Sequence, residues 1–531
     1  MSQGAVFKLV LRDDRFDKFF TASDHLRRRL AAVRAARAAA GAPDPAPTFA
    51  DIERTHLLYV RASYRPYVAV ASEYTRVKPS GDGTAALAAS GGAAVFTFPT
   101  YGHFTSDMAL HVRFAAAGSA TATDPTDPAT PYLRYCALPG LRLLRRVELR
   151  SDAVLIDDYD RDDAVAYSKF FVPADRRAGW ERCHGQQELR EASFFGNGYT
   201  GSLMYRDGPQ TPKLYQPAFD VFIPLQFWFG RGAEHALLND LIPNSQRTVT
   251  CELAPLSEMI QALAPNANFD VIDDPADVDD PAIPNGLAPA DLPFTRLAIS
   301  VDLYVNSIYV SPEIHDIFAR RVGFSLIRAH RRQTSQLQSA AGSFLLDQLK
   351  FPAEYLLVGL RRRSLATDFD RWWMMGEKAA RTGANKLLTP AIVWNANVGG
   401  GGVSQLVVRE AVEATTLESF TESLGVTAHG IEIFPLFPAA FYNAYAPLRG
   451  GSMVVSPVDT SAHLVSFCLY PGRFNPSGYY NLSAGREMYI NYTLKPTYES
   501  MTSGEAEMVI SMSALNFLMR RGDHLQLRYA M

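Results

Sequence analysis

Apolar and polar positions alternate along much of this chain, and that period of two predicts β-strands. Across 219–229 every odd position is apolar (Phe219, Val221, Ile223, Leu225, Phe227, Phe229), whereas the even positions are mixed, holding Asp220, Phe222, Pro224, Gln226 and Trp228. Leu297, Ile299, Val301, Leu303 and Val305 alternate with Ala298, Ser300, Asp302 and Tyr304. Shorter runs of the same kind are Val249-Cys251-Leu253 and Met488-Ile490-Tyr492-Leu494. Each run places one set of side chains on one face, where a core can take them. Pro224 inside the longest run predicts an edge position or a bulge, because proline cannot donate to an interior ladder.

One segment breaks this rhythm. Residues 19–40 read as a helix that Ser23 or Asp24 can cap, with Leu26, Leu30, Val33 and Ala36 near a 3.6-residue spacing. It carries Arg27, Arg28, Arg29, Arg34 and Arg37 and ends at the stiff Gly41-Ala42-Pro43-Asp44-Pro45-Ala46-Pro47 connector. Residues 259–292 have no periodicity, hold five prolines and carry six Asp between Asp270 and Asp280. They read as an acidic linker between two β-rich halves. The expected organisation is an N-terminal arm (1–48), a first β-sandwich (49–258), the linker (259–292) and a second β-sandwich (293–531). Gly399–Gly402 and Pro125–Pro131 read as loops.

Composition sharpens this picture. With 531 residues the chain is too long for one ordinary core. The 24 Tyr, 31 Phe, 36 Gly and 33 Pro suit aromatic strands broken by tight turns. A formal net charge of −3 lacks the basic excess that neutralising many phosphates demands, so no direct nucleic-acid contact is expected. Cys136, Cys183, Cys251 and Cys468 are widely spaced and form neither a zinc module nor a disulfide framework, which fits a reducing compartment. Lys8, Arg12, Asp13, Asp14, Arg15 and Asp17 interrupt the first twenty residues, so no signal peptide is expected there. Without secretion, the Asn481-Leu482-Ser483 and Asn491-Tyr492-Thr493 sequons carry no expectation of glycosylation.

Candidate chemistry is sparse. Asp157-Asp158-Tyr159-Asp160-Arg161-Asp162-Asp163 looks like a cation site, yet a calcium loop starting at Asp158 needs Gly at Asp163 and Glu at Lys169. It is read as a solvated turn between strands. His103 and His111 have no neighbouring ligands at metal spacing and are read as ordinary histidines. The run 399–402 lacks the Lys-Ser/Thr of a phosphate loop. Arg361-Arg362-Arg363 is read as a solvated strand end rather than as a contact with a partner's acidic surface. No catalytic, cofactor-binding or metal-binding residue is assigned, and no cofactor is expected.

Four ordered groups of residues carry a family resemblance. The first is Gly41–Thr48, Ile52-Glu53, Thr55-His56-Leu57, Arg65-Pro66-Tyr67-Val68 and Glu73-Tyr74. The second is Gly208–Lys213, Tyr215-Gln216-Pro217 and Phe227-Trp228-Phe229. The third is Pro312–His315, Arg321-Val322 and Phe324–Arg328. The last comprises Val426–Gly430, Pro476-Ser477-Gly478, Arg486-Glu487, Asn516-Phe517-Leu518 and Leu527-Arg528-Tyr529. In this order they resemble the asfarvirus-like major capsid proteins, those of African swine fever virus and its relatives, within the double jelly-roll capsid family of nucleocytoplasmic large DNA viruses.

The resemblance implies an all-β double jelly-roll, two eight-stranded antiparallel sandwiches with a short helical base arm, and a structural rather than enzymatic role. It implies a homotrimer forming a pseudo-hexameric capsomer of an icosahedral shell assembled in the host cytoplasm. Implied partners are neighbouring capsomers, minor capsid and penton proteins, and the inner viral membrane through the arm. A transient double jelly-roll scaffold that shapes immature virions is the alternative. A glycan-binding jelly-roll protein or a cupin-type enzyme is a third reading, and a cupin needs a His/Glu metal cluster that the sequence does not offer. The chain departs from the family between Phe171 and Gly208, where it is short, and over 361–423, where it matches poorly; both are expected to be outward tower loops.

Overall fold

In a computed structural model of the chain, the alternating segments fold as strands with their apolar sets facing inward. The structure describes residues 31–32, 34–41 and, from Val70 to Tyr529, all but 81–83, 89, 100, 120–129, 187, 197–198, 243–245, 266–286, 313–314, 316–323, 381–386, 396–403, 413–414, 484–486, 497–503 and 522–523. The Pro43–Pro47 connector and Gly399–Gly402 lie outside these residues, as does most of the expected arm helix. Residues 34–39 of that helix are helical, and Arg34 is exposed.

Among the described residues, eight principal strands frame the first half: β1 (Val70–Val77), β2 (Gly92–Thr97), β3 (Phe104–Phe114), β4 (Leu144–Ser151), β5 (Val154–Asp160), β6 (Phe219–Pro224), β7 (Arg247–Leu253) and β8 (Arg296–Val310). They form two antiparallel sheets ordered β1-β8-β3-β6 and β2-β7-β4-β5. Eight more follow: β9 (Phe324–Gln336), β10 (Ala341–Leu345), β11 (Pro352–Arg362), β12 (Thr421–Ala428), β13 (Ile431–Pro438), β14 (Ala462–Ser466), β15 (Met488–Leu494) and β16 (Ala506–Arg521). Their sheets run β9-β16-β11-β14 and β10-β15-β12-β13. Counted within each half, both sets of sheets read 1-8-3-6 and 2-7-4-5. That is the strand order of an eight-stranded jelly roll, present twice. The duplication is therefore visible in topology although the two halves share no alignable sequence pattern.

Each roll closes on its own core. Phe96, Leu110, Val112, Val147, Val249, Val301 and Leu303 meet between the sheets of the first roll, and Leu356, Val358, Leu424, Val426, Ile490 and Ile510 between those of the second. The inward positions predicted in β7, β8 and β15 are all buried.

Two expectations need correction. The run 219–229 is not one strand: β6 ends at Pro224, on the edge of its sheet, and Trp228–Arg231 forms a 3-10 turn. Its odd positions stay buried from Val221 to Phe229 because a turn can continue the same inward sequence. Residues 259–292 are not an interdomain linker. Their ends are strands, Ile260–Pro265 and Leu287–Ala290, which pair with each other, and the chain then returns as β8 to close the first roll between β1 and β3. By strand pairing the halves divide after Val310, not at 293. Proline and aspartate mark this excursion as polar, and such composition cannot distinguish a connection inside a roll from one between rolls.

Hairpins outside the two rolls form small sheets of their own. Glu188–Gly196 pairs with Tyr199–Asp207 between β5 and β6, and Leu387–Asn395 pairs with Ser404–Val412 between β11 and β12. These are the two places where the family resemblance lapses.

Phe227, fully buried against Tyr159 and Phe229, ties the turn after β6 to the core. Phe227→Asp is expected to abolish soluble expression, since an unpaired buried carboxylate costs several kcal/mol. Wild-type yield and melting temperature for this variant would contradict the assigned burial.

Candidate functional site: the seam between the jelly rolls

The sequence's acidic cluster turns out to be the join between the rolls. Asp157, Asp158 and Asp160 end β5, and Asp162 and Asp163 open helix α1 (Arg161–Phe171). Asp160 caps that helix: its carboxylate accepts from the Asp163 backbone N–H, and Asp163 accepts from the Asp160 N–H, a reciprocal box that fixes the strand-to-helix corner. The reading of this cluster as a solvated turn is overturned, because Asp157 and Asp163 are at most 1% exposed.

Partners for these carboxylates come from the outer face of the second roll's β9-β16-β11-β14 sheet. Asp157 accepts from the His330 backbone N–H at 2.8 Å and meets the His330 ring at 3.0 Å. Arg332 reaches Asp158 at 3.0 Å, Asp160 at 2.9 Å and Asp163 at 3.5 Å. Arg361 grips Asp162 through both terminal nitrogens, at 2.8 and 2.9 Å, and holds Glu507 with its Nε. The expectation of a solvated Arg361 is likewise corrected, since its side chain is only 6% exposed. The acidic surface it meets belongs to the other half of its own chain.

Lower on α1 the contact becomes apolar. Ala166 and Phe170 pack with Tyr355, Leu357, Ala462 and Leu464. Beside them Lys169 and Asp459 make a 2.6 Å ion pair with both side chains at least 96% buried. Asp459 also accepts the N–H groups of Met375 and Gly376. Farther along, Arg142 donates to the carbonyls of Asp368 and Phe369, Arg134 pairs with Asp370, and the Trp372 indole donates to Ala137 O at 2.7 Å. Burying both members of a pair costs desolvation, so such pairs fix register more than they add net stability.

Electrostatics differ along the seam. Burial, reinforced by the charge of Asp160, raises the Asp163 carboxyl well above its ordinary value despite Arg332 and the Ser511 hydroxyl. Burial and Asp162 raise Asp160 as well. Burial would also raise Asp158, but Arg332 and Arg146 outweigh it and hold that carboxyl low. In the Lys169–Asp459 pair both groups are depressed. Lys169 has one carboxylate against complete burial, so burial wins; Asp459 faces the same burial but gains the ammonium and two backbone donors.

These shifts set the pH response. A charged Asp163 costs stability at neutral pH, and protonation recovers it as pH falls from the raised value toward the ordinary 3.8. Asp158 and Asp459 contribute stability above 3.8 that is lost as pH falls through their depressed values. Stability should therefore rise on mild acidification and fall in strong acid. Asp163→Asn is expected to raise the melting temperature at neutral pH, with the gain shrinking toward pH ~4 and the acid limb unchanged. A variant equally stabilised at every pH would contradict this assignment.

Other candidates do not join the seam. His103 packs against the tilted ring of His315 at 4.3 Å and accepts the Val310 N–H, while His111 stacks on Phe222 at 4.6 Å. No group of three or more potential metal ligands occurs among the described residues. An open cleft of about 200 Å³ at the seam is lined by Arg145, Arg161 and Arg361, whose charges are matched by Glu258, Asp162 and Glu507. The important residues that sequence reading missed are Arg332, Lys169 and Asp459; the one available signal was that Arg328, Arg331 and Arg332 interrupt a strand.

Two rolls of identical strand order, joined by a buried and largely ionic seam, define a double jelly-roll protein. In comparisons the chain is similar to major capsid proteins of large DNA viruses. It is 26% identical, over the full length of both chains, to the major capsid protein of African swine fever virus isolate Warthog/Namibia/Wart80/1980 and to hexon protein p72 of strain Badajoz 1971. The Faustovirus major capsid protein superposes with a TM-score of 0.68 at 26% identity, covering 94% of this chain and 98% of that one. PBCV-1 VP54 shares the fold, with a TM-score of 0.56 at 16% identity over 88% of this chain and 98% of that one. No family model matches. These relatives are capsid and hexon proteins, which lends no support to the scaffold alternative.

Proposed function

We propose that the chain forms homotrimeric, pseudo-hexameric capsomers that tile an icosahedral virion shell, and that its role is structural rather than catalytic. The observation that carries this reading is the repeated strand order with a fixed roll-to-roll join. One chain supplies two similar rolls in a set orientation, and three such chains supply the six sides of a hexagonal tile. Closed cyclic assembly repeats one heterologous contact, and obligate contacts of this kind bury well over about 2,000 Å². In this reading the hairpins at 188–207 and 387–412 rise as a tower. The arm at 1–48 meets minor capsid proteins and the inner membrane, neighbouring capsomers and penton proteins complete the shell, and assembly takes place in the host cytoplasm.

Light scattering and negative-stain imaging of the purified chain test the proposal. The expected particle holds three 58.6 kDa chains and has a hexagonal outline. A folded protein that stays monomeric at micromolar concentration would overturn it.

A further inference from the structure

Lys169 comes from α1 of the first roll, and Asp459 from the segment that leads into β14 of the second. Among the described residues Lys169 is the one buried lysine, and its amine meets a carboxylate that is held at both oxygens. Oδ1 of Asp459 accepts the N–H groups of Gly376 at 2.8 Å and Ser461 at 3.2 Å. Oδ2 accepts the Met375 N–H and the Lys169 ammonium, both at 2.6 Å. Asn443 fixes the main chain by donating to the carbonyls of Asp459 and Ala462. Only glycine fits at 376, where a Cβ would stand 3.1 Å from Asp459 Oδ1 and 2.9 Å from the Glu418 carbonyl oxygen. A nitrogen in such contact with Oδ2 lies roughly 3.5 Å from the carboxyl carbon, the separation of a near-attack arrangement. The other side of the ammonium faces the Trp373 ring, 4.9 Å away. Beside Lys169 a hollow of about 10 Å³ is bounded by Phe170, Val358, Met375 and Ala462, space for one water.

We infer that Lys169 and Asp459 condense after folding into an isopeptide bond that joins the two rolls covalently. The ammonium first passes a proton to Oδ2, leaving a neutral amine beside a neutral carboxyl. The amine lone pair attacks the carboxyl carbon, and the carbonyl π pair moves onto Oδ1. There the Gly376 and Ser461 N–H groups meet the developing negative charge. As that pair re-forms the carbonyl, the bond from carbon to Oδ2 breaks. The departing hydroxyl takes a proton from the nitrogen and leaves as water, for which the hollow beside Lys169 has room. One C–N bond replaces one C–O bond, and no oxidant, reductant or cofactor enters. Burial already holds the Lys169 amine below its ordinary range, which favours the neutral nucleophile. Replacing two buried charges by one neutral amide also removes their desolvation cost. Asp459 is held low, so the neutral pair is a minor form and the bond forms slowly. The freshly folded chain therefore carries the ion pair, and the aged chain carries the link.

Intact-mass spectrometry of the purified full chain, followed over days at neutral pH, tests the bond. A species lighter by one water should accumulate and become the major one. Its tryptic digest should lose cleavage after Lys169 and gain a branched peptide that carries the Lys169 and Asp459 stretches together. Lys169→Arg keeps the positive charge without an amine to acylate, and should hold its full mass. Wild-type protein kept in denaturant should also hold its full mass, because only the fold brings the pair together. If Lys169→Arg does not fold, the wild-type branched peptide decides the matter alone. A folded wild-type chain that retains its full mass would overturn the inference. So would a water loss confined to linear peptides, as an aspartyl succinimide gives, or the same loss in Lys169→Arg.

Discussion

Lys169→Met is expected to lower the unfolding free energy by about 3–5 kcal/mol, the loss typical of stripping one partner from a buried pair. The ammonium is the single cationic partner of Asp459 among its described contacts, and both groups lie where water does not reach. Methionine fills a similar volume, so the change removes charge rather than packing. Asp459 keeps its bonds from Met375 and Gly376, which hold it in place but do not neutralise it. Arg177→Ala is the control: its pair with Glu181 is half exposed and spans one helical turn, so its loss should stay below about 1 kcal/mol. Denaturant unfolding of both variants measures the contrast. A loss below about 1 kcal/mol for Lys169→Met would mean that the backbone donors satisfy Asp459 without the ammonium.

Arg332→Ala should cost a similar amount, about 3–5 kcal/mol, and should also change the response to pH. One guanidinium serves Asp158, Asp160 and Asp163, and its removal leaves a corner of carboxylates opposed mainly by Arg146. Without it all three carboxyls move up. Stability of the variant should then recover on mild acidification by more than the wild type gains, since protonation relieves repulsion. Arg332→Lys should lie between, because a lysine is a point charge that cannot reach three acceptors in a planar fork. Melting curves that shift equally at all pH values would show that Arg332 acts through packing alone.

The strands were legible because a sheet with one wet face writes its pattern into the sequence. β7, β8 and β15 are such strands, and their inward residues are those the alternation marks. β11 is buried on both faces, so Pro352–Arg362 shows no alternation and could be read only as an apolar run ending in arginines. The acidic cluster was visible, but its meaning was not: Asp158 and Arg332 are 174 positions apart, and a lone carboxylate in a sequence looks solvated until its partner is placed. Phe227 and Phe229 kept the period of a strand while lying in a turn. The excursion at 259–292 resembled a linker because proline and aspartate are compatible with either use. The family resemblance implies the double roll, whereas the seam and its charges depend on residues brought together only by the fold.

Strand order also governs when this protein can fold on the ribosome. In each roll the last strand made is inserted beside the first: β8 lies between β1 and β3, and β16 between β9 and β11. Val70 is paired with Val310, so the first roll lacks an inner strand until some 240 further residues have been translated. The second roll waits for β16, because Phe324 is paired with Met519, some 195 residues further on. Until then the faces of β9 and β11 that flank it have no partner, and the arginines meant for the acidic corner are held on an incomplete sheet. Contacts this distant in sequence form slowly. A message truncated or stalled before codon 506 therefore yields a chain that cannot complete its second half, which makes the unfinished polypeptide, more than the finished one, the form exposed to aggregation and proteolysis.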